Sequence, residues 1–356
     1  MGIVKFLRSK LLNRRRGGSQ RAAAVHVDGG ESCSGRCGDV AEVAGAAVKR
    51  LGWGEIEMIT ACFAEVAGEG GFSTVYMGRF PGCGGGSAAA AAAVKVHCGG
   101  GERLSLAFKQ ELDVLLRLKH ENIVRLLGYC DDADQGALIF EYVSGGTLHE
   151  HLHGRGSSNK SSALPWKSRV KIAFQLAHAI EYLHDRCTLH VIHGDIKSSN
   201  VLLDGDSDCK LCDFGSAKMG FSSMVPPPSS SPSSPYVRRK NIIMGSLGYT
   251  DPLYLRTGIA SKKNDIYSFG IVVLELVTGL EAFRSDKGQV LASMAAHMTK
   301  NVDRMDAGEV MNMVDPKLRG DFDAEEARAL IKVARSCLDE STLVRPTASR
   351  VVKMMK

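Results

Sequence analysis

The spacing of apolar residues changes character along the chain. From Glu65 to Gly78 the order Glu-Val-Ala-Gly-Glu-Gly-Gly-Phe-Ser-Thr-Val-Tyr-Met-Gly predicts a strand, a glycine turn and a second strand, because β-branched and aromatic residues alternate beyond the glycines. After a Gly/Ala loop over residues 82–88, a third strand is predicted from Ala90 to His97. A helix follows from Glu102 to Leu118, with Leu104, Phe108, Leu112, Leu115 and Leu116 on its apolar side. Further strands are predicted over Val124–Tyr129 and Ala137–Val143. Beyond Gly145 the pattern turns helical. Val170, Ala173, Ala177 and Ile180 mark one face of a helix running through Arg186, and Asp265–Thr278 is apolar nearly all round, as a buried helix is, with Gly279 placed to cap it. The expected class is α+β: a small β-rich lobe with one helix over residues 57–143 and a larger, mainly helical lobe over 144–356. Residues 1–56 read as a Gly/Ala/Ser-rich tail and linker.

Pro226-Pro227-Pro228 and the Ser/Pro run up to Pro235 cannot hold a helix or a ladder, so residues 219–242 are expected to form a long inserted loop. Loops of that length inside compact domains usually carry function.

With 356 residues, 44% apolar and 24% charged, the chain is an ordinary globular protein, which excludes collagen-like, wholly disordered and small disulfide-stapled classes. The net charge of +6 is confined to one end. Residues 1–27 hold Lys5, Arg8, Lys10, Arg14, Arg15, Arg16 and Arg21 and no acid, leaving 38 basic against 39 acidic side chains in the rest. A near-neutral body without a recognition motif argues against nucleic acid as a partner. No stretch approaches the roughly 20 apolar residues of a membrane-spanning helix, and the N-terminus lacks the apolar core of a secretory signal. The ten cysteines then read as free thiols in a reducing compartment. Cys209 and Cys212 have no second CxxC or His pair at zinc spacing, so they read as small apolar residues of a strand entering a loop.

The strongest chemical signal is an order of motifs: Gly68-x-Gly70-x-Phe72-x-x-Val75, Ala93-Val94-Lys95, Glu111 in the first helix, His193-Gly194-Asp195-Ile196-Lys197-x-x-Asn200, and Asp213-Phe214-Gly215. A strand, not a helix, follows the glycines, which removes the dinucleotide-binding reading. In this order and on these elements the motifs resemble the protein kinase signature. His120–Cys130, Lys263–Gly270, Val314–Leu318 and Arg345-Pro346-Thr347 bring the chain close to plant receptor-like kinases, in particular the receptor-like cytoplasmic type.

That resemblance implies a bilobal kinase fold, Mg2+ and ATP as cofactors, and protein substrates, with serine and threonine favoured over tyrosine by Lys197 and Ser246. The backbone of Gly68, Glu69, Gly70, Gly71, Phe72 and Ser73 would cradle phosphates, since glycines let N–H groups approach closely. Lys95, oriented by Glu111, would hold the α- and β-phosphates. Asp213 and Asn200 would be hard oxygen ligands for the metal. Asp195 would accept the substrate hydroxyl proton, with Lys197 on the γ-phosphate. Val75, Ala93 and Leu202 match the apolar walls around adenine, Phe140 the gatekeeper, and Glu141-Tyr142-Val143 the hinge.

Three positions depart from the family pattern. Gly194 replaces the Arg that usually pairs with a phosphorylated activation loop, which marks the non-RD type. Ser73 replaces the third loop glycine. Leu253 replaces the acid that usually pairs with the Arg matched by Arg345, and a buried Arg without a carboxylate costs on the order of 3–5 kcal/mol unless another group takes its place. Ser73 and Leu253 are the features on which the alternative reading, a pseudokinase scaffold, rests. The serines of the 219–242 insertion, beside Arg238-Arg239-Lys240, read equally as phosphorylation sites or as a tolerated insertion.

The tail has three readings. Residues 3–16 can form an amphipathic helix for an anionic membrane surface; Arg14-Arg15-Arg16 suits a nuclear address; an acid-free, Arg-rich start suits a transit peptide. Phe6 stands where a myristoylation signal needs Ser or Thr, while Cys33 and Cys37 are available for palmitoylation. The resemblance implies a cytoplasmic protein acting beneath a membrane receptor complex, peripheral at the plasma membrane if the first reading holds.

Overall fold

The computed structural model describes residues 47–70, 73–81, 89–97, 102–132, 135–154, 163–221, 224–225, 245–299 and 302–356. The tail 1–27, the loop 82–88 and most of the 219–242 insertion lie outside the described residues.

One six-stranded sheet builds the first part of the fold. Its strands are β1 (Lys49–Arg50), β2 (Val66–Glu69), β3 (Ser73–Phe80), β4 (Ala90–His97), β5 (Leu126–Asp132) and β6 (Gln135–Glu141), ordered β1-β5-β6-β4-β3-β2. β4 begins as an alanine run, a sequence that favours helix. It is a strand because it pairs along its whole length with β3 and over Ala92–His97 with β6, and because Ala92, Val94 and Val96 are buried beneath the sheet. A helix, α1 (Trp53–Ile59), seats Ile56 and Ile59 on one face of this sheet. Gly78 lies under it, where an added Cβ would come within 2.9 Å of Ile59. The other face carries α2 (Glu102–Leu115), three residues shorter than the sequence predicts.

The boundary at residue 57 needs correction. Residues 47–56 are part of the folded unit: Lys49–Arg50 pair in parallel with Gly128 and Tyr129 of β5, the Leu51 amide donates to Tyr129, and Arg50 Nε lies 2.7 Å from Asp131. Two exposed strand residues held by backbone bonds leave no apolar period to read, and α1 offers the core only two buried side chains.

The second part is built around helices: α3 (Leu148–His153), α4 (Trp166–Glu181), α5 (Pro252–Thr257), α6 (Lys262–Thr278), α7 (Leu291–Met298), α8 (Ala307–Met313), α9 (Ala324–Cys337) and α10 (Ala348–Met354). Every residue of α6 from Asp265 to Thr278 is buried, as its nearly all-round apolar character predicts. Gly279 ends it in the left-handed region at φ 66°, where an added Cβ would meet the Asp315 carboxylate at 2.4 Å. That carboxylate holds Arg169 of α4, itself 1% exposed, whose remaining donors reach the carbonyls of Leu164 and Leu276. α4 does not continue to Arg186 as an α-helix. Tyr182–Arg186 widens into a π turn from which His184 reaches Asp265 at 2.8 Å.

Two short antiparallel strand pairs shape the cleft side of this part. β7 (His190–Ile192) pairs with β10 (Lys218–Gly220), and β8 (Val201–Leu203) with β9 (Cys209–Leu211).

Arg345 has its carboxylate despite Leu253. Asp251, two residues earlier, takes the guanidinium on both oxygens, at 2.5 Å to Nη1 and 3.2 Å to Nη2, while Arg345 Nε donates to Asp339 O at 2.7 Å. Asp251 also caps α5 through the Leu253 amide and accepts from Asn264. Removing one partner of such a buried pair strands the other, so Asp251→Ala is expected to lower unfolding free energy by about 3–5 kcal/mol. Leu253→Glu should add little, because Asp251 already takes the guanidinium on both of its oxygens. Urea unfolding of the full chain and both variants measures this; a loss below about 1 kcal/mol for Asp251→Ala, or a clear gain for Leu253→Glu, contradicts it.

Candidate active site

Side chains of β4 alternate across the sheet, with Ala93, Lys95 and His97 on the face opposite the buried Val94 and Val96. Lys95 stands in register with Val75 of β3 and Leu138 of β6. Its ammonium lies 2.7 Å from Glu111 Oε1 on α2 and 2.8 Å from Asp213 Oδ1. Burial acts to lower the Lys95 pKa, but Glu111 and Asp213 outweigh it and hold it above the ordinary 10.5. For Asp213 burial acts upward, and Lys95 outweighs it, leaving the carboxyl below the ordinary 3.8. The lysine's contribution to stability is therefore present below pH 10.5 and lost as pH rises through its folded value. That of Asp213 is present above pH 3.8 and lost as pH falls through its folded value. Both groups stay charged throughout the neutral range.

The β8–β9 hairpin brings together residues far apart in sequence. Val201 pairs with Leu211, and the Cys212 amide donates to Asn200 O at 2.9 Å, so Asn200 and Asp213 emerge side by side. Asp213 has φ 63°, a conformation that costs a non-glycine residue energy and that clusters at functional sites. Phe214 is buried edge-on against His193, and His193 Nε2 lies 3.1 Å from Cys212 O. Gly215 lies beside the charged trio: a Cβ there would stand 3.4 Å from Asp213 Oδ1 and 3.5 Å from Glu111 Oε2.

Asp195 is surrounded by donors. Ser246 Oγ donates to Oδ1 at 2.8 Å, and Lys197 Nζ to Oδ2 at 2.7 Å; Asn200 Nδ2 donates to the Asp195 carbonyl at 2.9 Å. Lys197 also donates to Ser246 Oγ at 3.0 Å. The result is a hydroxyl held between a carboxylate and an ammonium. Asn200 spends its amide nitrogen on Asp195, which leaves its side-chain oxygen free, and Asp213 has a second oxygen not bound to Lys95. Two hard oxygen donors at the adjoining ends of β8 and β9 are of the chemical type a divalent cation takes.

The other expected residues fall around this centre. Gly68 and Glu69 pair with Val75 and Thr74, and the Gly70 amide closes the turn on Ser73 O at 2.8 Å. Nothing lies within 4 Å of where a Gly68 Cβ would be, so the backbone there is open to a ligand. Gly71 and Phe72 lie outside the described residues. Val75 and Ala93 share the half-buried face with Lys95, and Phe140 pairs with Ala93 across β6. Leu202 bridges Thr147 at the foot of the cleft. Glu141 turns its side chain to the Arg125 amide and to Lys210, and Val143 is buried. Cys209 and Cys212 are free thiols raised by burial, Cys212 to about 12, and no metal ligand set forms around them among the described residues.

Sequence reasoning gave Asp265 no role. It is fully buried at the start of α6 and accepts from the His193 and Gly194 amides at 2.8 and 2.9 Å, which fixes the loop carrying Asp195. An acid inside an apolar run was the available signal, since buried carboxylates need partners. His97 was also missed. Its Nε2 lies 3.4 Å from Glu111 Oε2, and neither atom has a hydrogen bond.

Glycine turn, shared lysine, donor-ringed aspartate and paired oxygen ligands together are the arrangement of a phosphoryl-transfer site. The sequence matches the protein kinase domain family over residues 63–355, and the chain belongs to that family, using ATP with a divalent metal. It is 48% identical over 305 residues to a probable receptor-like protein kinase of Arabidopsis thaliana, covering 84% of this chain and 85% of that one. It is 46% identical over 321 residues to the salt tolerance receptor-like cytoplasmic kinase 1 of Oryza sativa subsp. japonica, covering 90% and 83%. A putative leucine-rich repeat receptor-like serine/threonine-protein kinase of Arabidopsis thaliana is 35% identical over 306 residues, 85% of this chain and 31% of that protein.

Ser246 gives a direct test of the geometry. Losing a hydrogen bond to a charged group costs about 1.5–3 kcal/mol, so Ser246→Ala is expected to lower kcat by about 10- to 100-fold, while Ser246→Thr keeps most of it. Steady-state phosphorylation assays decide; equal rates for the wild type and Ser246→Ala would remove the bridge from the reaction.

Proposed function

We propose that the chain is a serine/threonine protein kinase that transfers the terminal phosphoryl group of magnesium-bound ATP to protein hydroxyls. The observation that carries this reading is the Asp195 carboxylate, held by Ser246 Oγ at 2.8 Å and by Lys197 Nζ at 2.7 Å, a base fixed between donors as the deprotonation of an aliphatic hydroxyl requires. Bound Mg2+ neutralises charge on the phosphates, and Asp213 and Asn200 are the residues to hold it. Lys95 holds the α- and β-phosphates while Glu111 keeps the ammonium aimed. Asp195 accepts the hydroxyl proton and Lys197 faces the γ-phosphate. Backbone amides of Gly68 to Ser73 steady the phosphates, Val75, Ala93 and Leu202 enclose the adenine, and Phe140 with the Glu141–Val143 backbone bounds its polar edge. Positioning and charge stabilisation account for most of such a reaction.

Asp251 supports catalysis over the scaffold alternative, since Arg345 is not left unpaired and one of the two departures loses its force. Gly194 supports a non-RD mode of control. It has φ 81°, and a Cβ there would come within 2.8 Å of Ser216 O, so this backbone disfavours the arginine that would read a phosphorylated loop. Receptor-like relatives support a place beneath a cell-surface receptor, and the basic residues 1–27 suit an anionic membrane surface.

Purified chain, labelled ATP, Mg2+ and a generic protein substrate test the proposal. Label is expected on serine and threonine, with Asp195→Asn slower by about 10²- to 10⁴-fold; equal incorporation by both, or none by either, favours the scaffold. Phosphatase treatment of the chain before assay should leave its activity in place. Abolition by that treatment would sink the non-RD reading.

A further inference from the structure

The sequence Thr147-Leu148-His149-Glu150-His151-Leu152-His153 places two imidazoles four residues apart, and α3 is the helix it forms. Leu148 and Leu152 are buried in the core, so the helix is fixed in rotation. His149 and His153 lie with ring centroids 5.0 Å apart. From α6, fully buried Glu275 reaches the same spot: its Oε1 lies 3.0 Å from His153 Nε2, and both side chains are almost wholly shielded from solvent. One ligand atom from each of His149, His153 and Glu275 falls within 4.8 Å of the others, the one such trio among the described residues.

We propose that His149, His153 and Glu275 bind a Zn2+ ion. His-Glu-x-x-His on a helix is a spacing that turns both imidazoles to one metal, and two imidazoles with one carboxylate make a complete set of three protein ligands for zinc. Zinc bonds of about 2.0–2.1 Å put neighbouring ligand atoms about 3.3 Å apart in a tetrahedron. The His153–Glu275 pair, at 3.0 Å, needs to open by only about 0.3 Å to reach that separation, and His149 closes the remainder by side-chain rotation. Outer-shell partners are in place. Tyr249 Oη donates to Glu275 Oε2 at 2.7 Å, and Ser198 Oγ stands 2.8 Å from Tyr249 Oη, 3.3 Å from Glu275 Oε1 and 3.4 Å from His149 Nδ1.

Hydrolytic chemistry of the kind this spacing supports elsewhere is closed off. Glu150, the acid inside the motif, accepts from the Thr147 amide at 2.7 Å and from its hydroxyl at 3.0 Å as the cap of α3. The ion is therefore a brace. It ties α3 to α6 and, through Ser198 and Tyr249, to the residues beside Lys197 and Ser246.

The test titrates Zn2+ into the full chain against a chromophoric chelator, in the presence of Mg2+, and repeats it with His149→Ala. Wild type is expected to take up one Zn2+ at this site, with affinity at least tenfold weaker in His149→Ala, and to give the visible absorption of a four-coordinate ion when Co2+ is used instead. Zinc should raise the melting temperature of the wild type and not that of the variant. If His149→Ala melts early without metal, His149→Gln, closer in size, takes its place. No uptake by the wild type, or uptake and cobalt absorption unchanged in both variants, overturns the site.

Discussion

Asp265 is a carboxylate in the most completely buried of the described helices, and the geometry of the loop carrying Asp195 depends on it. An ionised acid in such surroundings is tolerable only if its oxygens are satisfied. Three donors meet that need: the His184 ring, made available by the π turn at the end of α4, and the amides of His193 and Gly194. The same bonds that solvate the charge set the backbone from which Asp195 projects. His193, so fixed, supports Phe214 with its ring and Cys212 with Nε2, and thereby the strained Asp213. A single desolvated charge thus positions two segments that are twenty residues apart.

Across the cleft the organising charge has the opposite sign. Lys95 is central in its sheet, held by β3 on one side and β6 on the other, and its ammonium is shared by one acid from a helix and one from a loop. Each acid keeps the lysine charged against the pull of burial, and the lysine keeps Asp213 ionised. The trio assembles only when α2 and the loop after β9 both stand close to β4, so it records a juxtaposition that no single element could provide.

Elements whose pattern is repeated over many residues were legible in the sequence: the strand Ala90–His97, the buried α6 with its glycine cap, and the two-part division. The family was legible because the spacing and order of its motifs carried it. What escaped reading depends on partners brought from afar. Lys49 and Arg50 are a strand only because β5 offers a free edge. The π turn at Tyr182–Arg186 appears in no hydrophobic period, because its reason is the reach of His184 to Asp265. The pairing of Asp251 with Arg345 is not marked by the family's spacing, since the substitute carboxylate approaches from two residues upstream of Leu253. Glu275 lies more than a hundred residues from His149 and His153, and only the fold brings it to them.

α6 therefore carries two acids with different duties. Asp265 opens the helix and secures the loop of Asp195; Glu275, almost three turns later, receives His153, Tyr249 and Ser198. Neither could be replaced by an apolar residue without stranding its donors, and neither donor set belongs to the helix itself. An otherwise apolar helix thus serves as a fixed post. The two polar clusters attached to it meet again at Lys197 and Ser198, adjacent residues facing Asp195 and Glu275 respectively. That adjacency sets the cluster around Glu275 one peptide unit from the donors around Asp195, so both polar clusters rest on the same short stretch of backbone.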